Sequence, residues 1–215
     1  MTKTIFSIIL LGEKQKEVKM SVNLKPLNWD FIKHNYTEMY NLLDANRTRL
    51  LPWFDWAGKD ITPTKSRFYI FLSLYMLQTK YKKFMHKINS SKFYDVQFIM
   101  YKHEKIVGMC GLDNIDTQKK GDAELWFLTF DGTPYGTVDY AIQQIEDYGA
   151  NTAMLHNLYA HVRPGNTKSY TCLNDRNNYT TDGNQYTRLI GNFPKKYGPV
   201  YVFNKVLAKG AENGK

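Results

Sequence analysis

The chain has 215 residues, 43% hydrophobic and 15% aromatic, with 29 basic against 20 acidic side chains and a net charge of +9. That length and apolar content exclude a disordered or collagen-like chain and suffice for one domain with a sizeable core. No run reaches the ~18 apolar residues that cross a bilayer; the two cysteines, set in apolar patterns without metal-ligand spacing, fit a reducing cytoplasm rather than a disulfide scaffold or metal site; the positive balance favours anionic partners unless it is only background composition.

In chain order, residues 1–19 read as an N-terminal extension, the folded domain is expected over 20–207, and 208–215 is a polar tail. The apolar run 5–11 follows a single Lys3 and lacks a small-residue cleavage site, so it does not read as a signal peptide. Residues 22–27 predict a short strand. Residues 29–43 carry helical spacing through Phe31, Ile32, Tyr36, Met39, Tyr40 and Leu43. Over 46–56, Trp53, Phe54 and Trp56 around Pro52 predict a loop with a large apolar area, either a plug over the core or the wall of a binding site. A second helix is expected over 64–85, after the start signal Thr62-Pro63. Its end carries Lys80, Lys82, Lys83 and Lys87, with Lys92 beyond, which either complement the helix dipole or face an anionic partner.

Residues 95–101, 106–112 and 123–129 predict three consecutive antiparallel strands, joined by a tight turn at 102–105 and a longer one at 114–121. Thr133 and Pro134 then look like the N-cap and first residue of a helix whose inner face holds Val138, Ala141, Ile142, Ile145 and Tyr148, with Gly149 as C-cap. In 157–183, Leu158, Ala160 and Val162 alternate with Tyr159, His161 and Arg163 as in a strand with one buried face. Pro164-Gly165 ends it, Asn166 can cap a short helix carrying Tyr170 and Leu173 inward, and Asn177-Asn178 can close that helix. The last strand is expected over 197–207. The five histidines, His34, His86, His103, His156 and His161, show no ligand spacing, and no metal is expected.

The order helix, helix, three-strand meander, helix, strand, helix, strand resembles the GNAT acetyltransferase superfamily. Within it the chain is most similar to the Rim-type N-terminal acetyltransferases of ribosomal proteins, which carry Asn-x-x-Ser, a helix, Gly-Phe, two residues and Glu-Gly; here these read Asn166-x-x-Ser169, then Asn178-Tyr179, two residues, Asp182-Gly183, with the helix one residue longer. The resemblance implies an α/β (α+β) GNAT fold, a mixed, mostly antiparallel central sheet of six to seven strands flanked by helices and splayed between the fourth and fifth strands.

It also implies acetyl-CoA as co-substrate and a primary amine, a protein N-terminus or small amine, as acceptor. Trp126, Phe127 and Leu128 would line the splay, and Gly132, Tyr135, Gly136 and Thr137 the pyrophosphate turn, where backbone N–H groups at a helix N-terminus hold anions. Asn166, Ser169 and Tyr170 would lie beside the thiol, with Tyr179 a spare phenol nearby. Glu124 matches the glutamate of Ala-Glu-Ile-Gly-Tyr-Trp-Leu and Ser169 the serine near sulfur, so these two are the candidate catalytic residues, for removing the ammonium proton and serving the departing thiolate. Trp53 and Trp56 match a segment beside the acceptor site. The turn departs from Gln/Arg-x-x-Gly-x-Gly/Ala: Asp131 brings a carboxylate and Pro134 lacks an N–H. No carboxylate lies in 184–190, where that branch has one. Two rivals therefore stand beside the enzyme, a GNAT-derived binding protein without turnover and a ribosome- or RNA-associated module using the lysines of 80–92. Neither a membrane nor free nucleic acid is the expected partner, and the chain is expected to be a monomer or homodimer.

Overall fold

The computed structural model describes residues 22–88, 95–116, 121–189 and 196–207. The N-terminal extension, the polar tail, Lys92 and part of the 114–121 turn lie outside them. Among the described residues no helix is long and apolar enough to cross a membrane.

Strand β1 (Asn23–Pro26) leads into α1 (Trp29–Leu50), which Asn28 caps by accepting the Phe31 N–H at 2.8 Å. The helix runs past the loop start expected at Asn46, because Asn46, Arg47 and Leu50 are all buried and Pro52, rather than the first polar residues, stops it. A single 3₁₀ turn (Asp55–Ala57) follows, and then α2 (Lys65–Ile88), opened by Thr64, whose Oγ1 accepts the Arg67 N–H at 3.3 Å.

Strands β2 (Val96–Lys102) and β3 (Lys105–Asp116) form a hairpin. Its two turn residues, His103 and Glu104, both have positive φ (48° and 60°), the backbone a two-residue turn matched to strand twist requires. Strand β4 (Asp122–Thr129) completes the meander. Helix α3 (Thr137–Asn151) begins four residues after the expected cap, since Thr133 Oγ1 instead sits 2.7 Å from Val107 O and ties the turn to β3. Nor does Gly149 cap it: the helix continues to Asn151, and Gly149 is buried where a Cβ would meet Leu207 at 3.2 Å.

Strand β5 (Asn157–Val162) and α4 (Thr167–Thr171) follow as expected. The extra residue in the second helix takes the form of a π turn over Cys172–Arg176, continuous with α4 and closed by Asn178 at φ 57°. Strands β6 (Gln185–Leu189) and β7 (Lys196–Val206) end the chain.

The sheet has seven strands in the order β1-β2-β3-β4-β5-β7-β6, antiparallel except for the parallel pair β4–β5. One core, containing Leu112, Leu125, Ile142, Leu158 and Phe203, lies on the α3 face; the other, containing Ile32, Leu43, Phe68, Ile99 and Leu128, lies under α1 and α2.

Arg47 fixes the segment between those two helices. Its guanidinium, 7% exposed as a residue, donates to Ala57 O at 2.7 Å, to Thr62 Oγ1 at 3.0 Å and to Thr62 O, and its Nε donates to Asp44 at 2.7 Å, which holds the Asp44 carboxyl below its usual range. Arg47→Met leaves two buried carbonyls without donors, at about 1–3 kcal/mol each. We expect the urea midpoint to fall by an amount equivalent to about 2–4 kcal/mol, with the m-value unchanged. An unchanged midpoint would show that the aromatic contacts alone hold the segment.

Candidate active site

The parallel ladder between β4 and β5 spans three residue pairs, Asp122↔Asn157, Ala123↔Leu158 and Glu124↔Tyr159. Beyond Glu124 the strands part, while β4 stays bonded to β3 as far as Thr129 and β5 to β7 as far as Val162. Each strand thus keeps its geometry from its outer neighbour, and the facing edges turn backbone N–H and C=O groups into a wedge in mid-sheet.

A cleft of about 320 Å³ opens from this wedge towards α1 and α2. Its apolar wall is Trp53, Phe54, Trp56 and Phe71, with Trp56 stacked on Phe71 at 5.6 Å and 19°. Arg163, at the end of β5, pins this wall by donating to Pro52 O at 2.8 Å and to Asp55 Oδ1 at 3.1 Å.

The polar floor comes from β2, β3, β4 and β5. Glu124, 6% exposed, accepts from Asn114 Nδ2 at 3.1 Å on one oxygen and lies 2.9 Å from His161 Nδ1 on the other. Asn114 reaches it because the β3–β4 register slips between Asp113 and Asp116 and Asn114 takes a left-handed φ of 54°, its own N–H donating to Asp95 at 2.9 Å. Asp113 lies directly opposite Glu124, a destabilising like-charge pair relieved on the Asp113 side by donors from Tyr75 at 3.3 Å and Gln97. Burial first, then the charges of Asp113 and Asp95, push the Tyr75 phenol far up, so it stays a donor.

On the far side, Asn166 caps α4 by accepting the Ser169 N–H at 3.3 Å, and both side chains line the cleft. The structure therefore brings Trp53, Trp56, Glu124, Trp126, Phe127, Asn166 and Ser169 together. It does not bring Leu128, which is 3% exposed and packs under α1 and α2. Tyr170 also points away, its ring edge-on to Phe203 at 5.0 Å, and Tyr179 is core, 1% exposed. Cys172, in the adjoining π turn, is pushed up to about 12 chiefly by burial and is no thiolate nucleophile at neutral pH.

The turn between β4 and α3 stands apart from the cleft lining. Gly132 and Gly136 both have φ of 78°, and no side chain caps α3, whose first N–H, that of Thr137, donates back to Pro134 O at 3.2 Å. Thr137 is wholly buried with its Oγ1 unpartnered among the described residues. Tyr135 is 80% exposed beneath the guanidinium of Arg176, 4.9 Å from its ring. Asp131 is not an isolated charge: Arg49 Nε lies 2.8 Å from its carboxylate, and its N–H donates to Asn46 Oδ1 at 2.8 Å. The ion pair offsets part of the repulsion that a lone carboxylate would exert on an anion here.

His161, Asn114, Asp113, Gln97 and Tyr75 are site residues that motif matching passed over. The signal for His161 was the two-residue alternation in β5, which puts it on the face of Tyr159, the register partner of Glu124.

No family model matches the chain, and no curated protein matches it in sequence. Among solved structures it is similar to RimL, a ribosomal alpha-N-protein acetyltransferase in complex with coenzyme A, at TM-score 0.66 and 13% identity over 88% of this chain and 96% of that one. It is similar to RimJ of Mycobacterium smegmatis in complex with CoA-disulfide, at 0.65 and 16% over 86% and 81%. It is also similar to a spermidine N-acetyltransferase from Vibrio cholerae in complex with CoA and spermine, at 0.58 and 16% over 87% and 96%. With its meander, its parallel β4–β5 pair and the wedge between them, the chain has the GNAT acetyltransferase fold.

Proposed function

We propose that the chain is an acetyl-CoA-dependent N-acetyltransferase of Rim type that moves an acetyl group to a primary amine, either a protein N-terminus or a small amine. The observation that carries it is the parting of β4 and β5 directly beyond Glu124, a buried carboxylate facing an aromatic-walled cleft. The similar structures act on ribosomal proteins and on spermidine and hold CoA, which supports the reaction class and leaves both kinds of acceptor in view.

The unpaired strand edges suit the amide-bearing pantetheine arm, which can add to them as a peptide strand would. The N-terminus of α3, which no side chain caps, suits the pyrophosphate through the N–H groups that follow Thr137. Glu124 and Asp113 make the cleft floor anionic, favouring an ammonium, while Trp53 and Trp56 exclude water from it. Ser169 lies where a hydroxyl can donate to the departing thiolate. Pro134, which has no N–H to offer the diphosphate, favours one second reading, a GNAT-fold protein that binds acetyl-CoA without turning it over. Calorimetry with acetyl-CoA, alongside thiol release in the presence of spermidine or a short peptide with a free N-terminus, separates the two. Heat without thiol release would leave only the binding protein.

Two variants test the parts. Trp53→Ala opens one wall of the acceptor slot, and we expect the acceptor KM to rise about tenfold or more, with acetyl-CoA Kd unchanged, since burying an aromatic side chain contributes roughly 1.5–3 kcal/mol. Loss of both together would make Trp53 a core residue. Arg49→Met exposes the Asp131 charge and is expected to weaken acetyl-CoA binding severalfold, while Arg49→Met with Asp131→Asn restores it. A double variant as weak as the single one would show that Arg49 acts through its contact with Thr129 O rather than through charge.

A further inference from the structure

Glu124 is poorly placed to take the acceptor's proton itself. One of its oxygens accepts from Asn114 and the other lies 2.9 Å from His161 Nδ1, and the Glu124 side chain is 8% exposed against 17% for His161. With Glu124 as the acceptor in that contact the hydrogen is on Nδ1, and in the neutral imidazole the lone pair then falls on Nε2. His161 lines the cleft. It is two residues beyond the last β4–β5 pair, on the face that Glu124 shares, so parting of the strands sets the imidazole at the mouth of the wedge with the carboxylate behind it. The edge of its ring meets Tyr159, 5.5 Å away at 80°, which further restricts its rotation.

We propose that His161 Nε2 is the general base of the acetyl transfer and that Glu124 is a positioning residue, holding the imidazole in the tautomer that accepts a proton from the acceptor. The assignment rests on the acetyltransferase reading. It follows the arrangement in which a base within reach of the reacting atom is oriented by a third group behind it. The acceptor ammonium gives one proton to Nε2, and the freed nitrogen lone pair attacks the thioester carbonyl carbon. A C–N bond forms, the C–S bond breaks, and the sulfur leaves with its electron pair. Of the three ammonium hydrogens one stays in the amide, one ends on the thiolate and one passes to solvent, so no oxidant or reductant is needed.

The titratable and charged groups around the imidazole are Glu124 on β4, Asp113 on β3, Tyr75 on α2, Asp55 in the 3₁₀ turn, and Tyr159 and Arg163 on its own stretch of chain. Separating His161 from them requires a pH profile rather than a single rate.

The test uses the full chain, with spermidine and a short peptide bearing a free N-terminus as acceptors. Thiol release and acetyl-CoA binding are followed separately. His161→Asn keeps a side-chain N–H near the Nδ1 position but removes the base. It is expected to lower kcat about a hundredfold or more, leave acetyl-CoA Kd within twofold, and abolish the limb of kcat/KM that rises across about pH 5 to 8, where imidazoles lose their proton. Glu124→Gln is expected to lower the rate and keep that limb, and imidazole added to His161→Ala is expected to restore part of the rate. A limb kept in His161→Asn and lost in Glu124→Gln would overturn the assignment and make the carboxylate the base. So would a wild-type rate in His161→Asn. A wild-type chain that binds acetyl-CoA and releases no thiol with either acceptor overturns the acetyltransferase reading, and the base with it.

Discussion

The site depends on one constraint, that β4 and β5 are hydrogen-bonded to each other for three residue pairs and no further. An open edge in mid-sheet forgoes ladder bonds worth about 0.5–1.5 kcal/mol each net. The fold tolerates this because neither strand relies on the other beyond Glu124 and Tyr159: β4 remains paired to β3, and β5 to β7. Before the parting, the paired Ala123 and Leu158 share the core against α3, which keeps the two halves of the sheet in register where they do touch. The wedge is thus a property of the topology, with α3 and its preceding turn crossing between two strands that the sequence makes parallel neighbours.

The last turns of α1 couple the two sides of that wedge. Asn46 accepts the Asp131 N–H from the turn ahead of α3, and Arg49 pairs with the same residue's carboxylate and donates to Thr129 O. One residue on from Asn46, Arg47 reaches the other way and holds Ala57 and Thr62, the base of the aromatic wall. The turn ahead of α3 and the tryptophan wall are therefore both referenced to one rigid helical segment, so their spacing is set by helix geometry and not by two independent loops. The departure at Asp131 acquires a physical account from the same contacts. A carboxylate unwelcome near a diphosphate is the partner that anchors the turn to α1.

Much of this was legible in the residues. The order of elements apart from β6, the Asn166 cap and the two-residue period of β5 follow from local patterns, and the family resemblance implied Glu124 and Ser169 beside one opening. What was not legible depended on contacts between distant segments. Asn46 and Arg47 look like loop residues until the Asp131 N–H is brought to Asn46 and the carbonyls of Ala57 and Thr62 to Arg47. Thr133 and Pro134 make a good helix start, but Thr133 bonds to Val107 on a neighbouring strand and the helix waits for Thr137. Gly149 has the chemistry of a cap and serves instead as close-packing space against Leu207. Strand β6 is a polar edge with little apolar alternation, and so left no signal. His161 shows no ligand spacing along the chain because its partner lies 37 residues away and is reached through a parallel register that no periodicity reveals.

Charge is distributed in a way that the net value of +9 conceals. The cleft floor carries Glu124 and Asp113, with Asp55 at its wall, and Arg163, which also lines the cleft, is paired with Asp55. On the other side of the parted strands, Arg176 lies over Tyr135 and pairs with Asp139 at 3.2 Å, and α3 presents the positive end of a helix. A cation and an anion would thus be drawn to opposite sides of the same opening. Like charges within each side are offset by local donors, Gln97 and Tyr75 for Asp113 and Arg49 for Asp131. Glu124, being buried, is screened less by salt than a surface charge. The strand edges that lie between the two sides carry no charge of their own, which suits the neutral arm and thioester that would have to lie there.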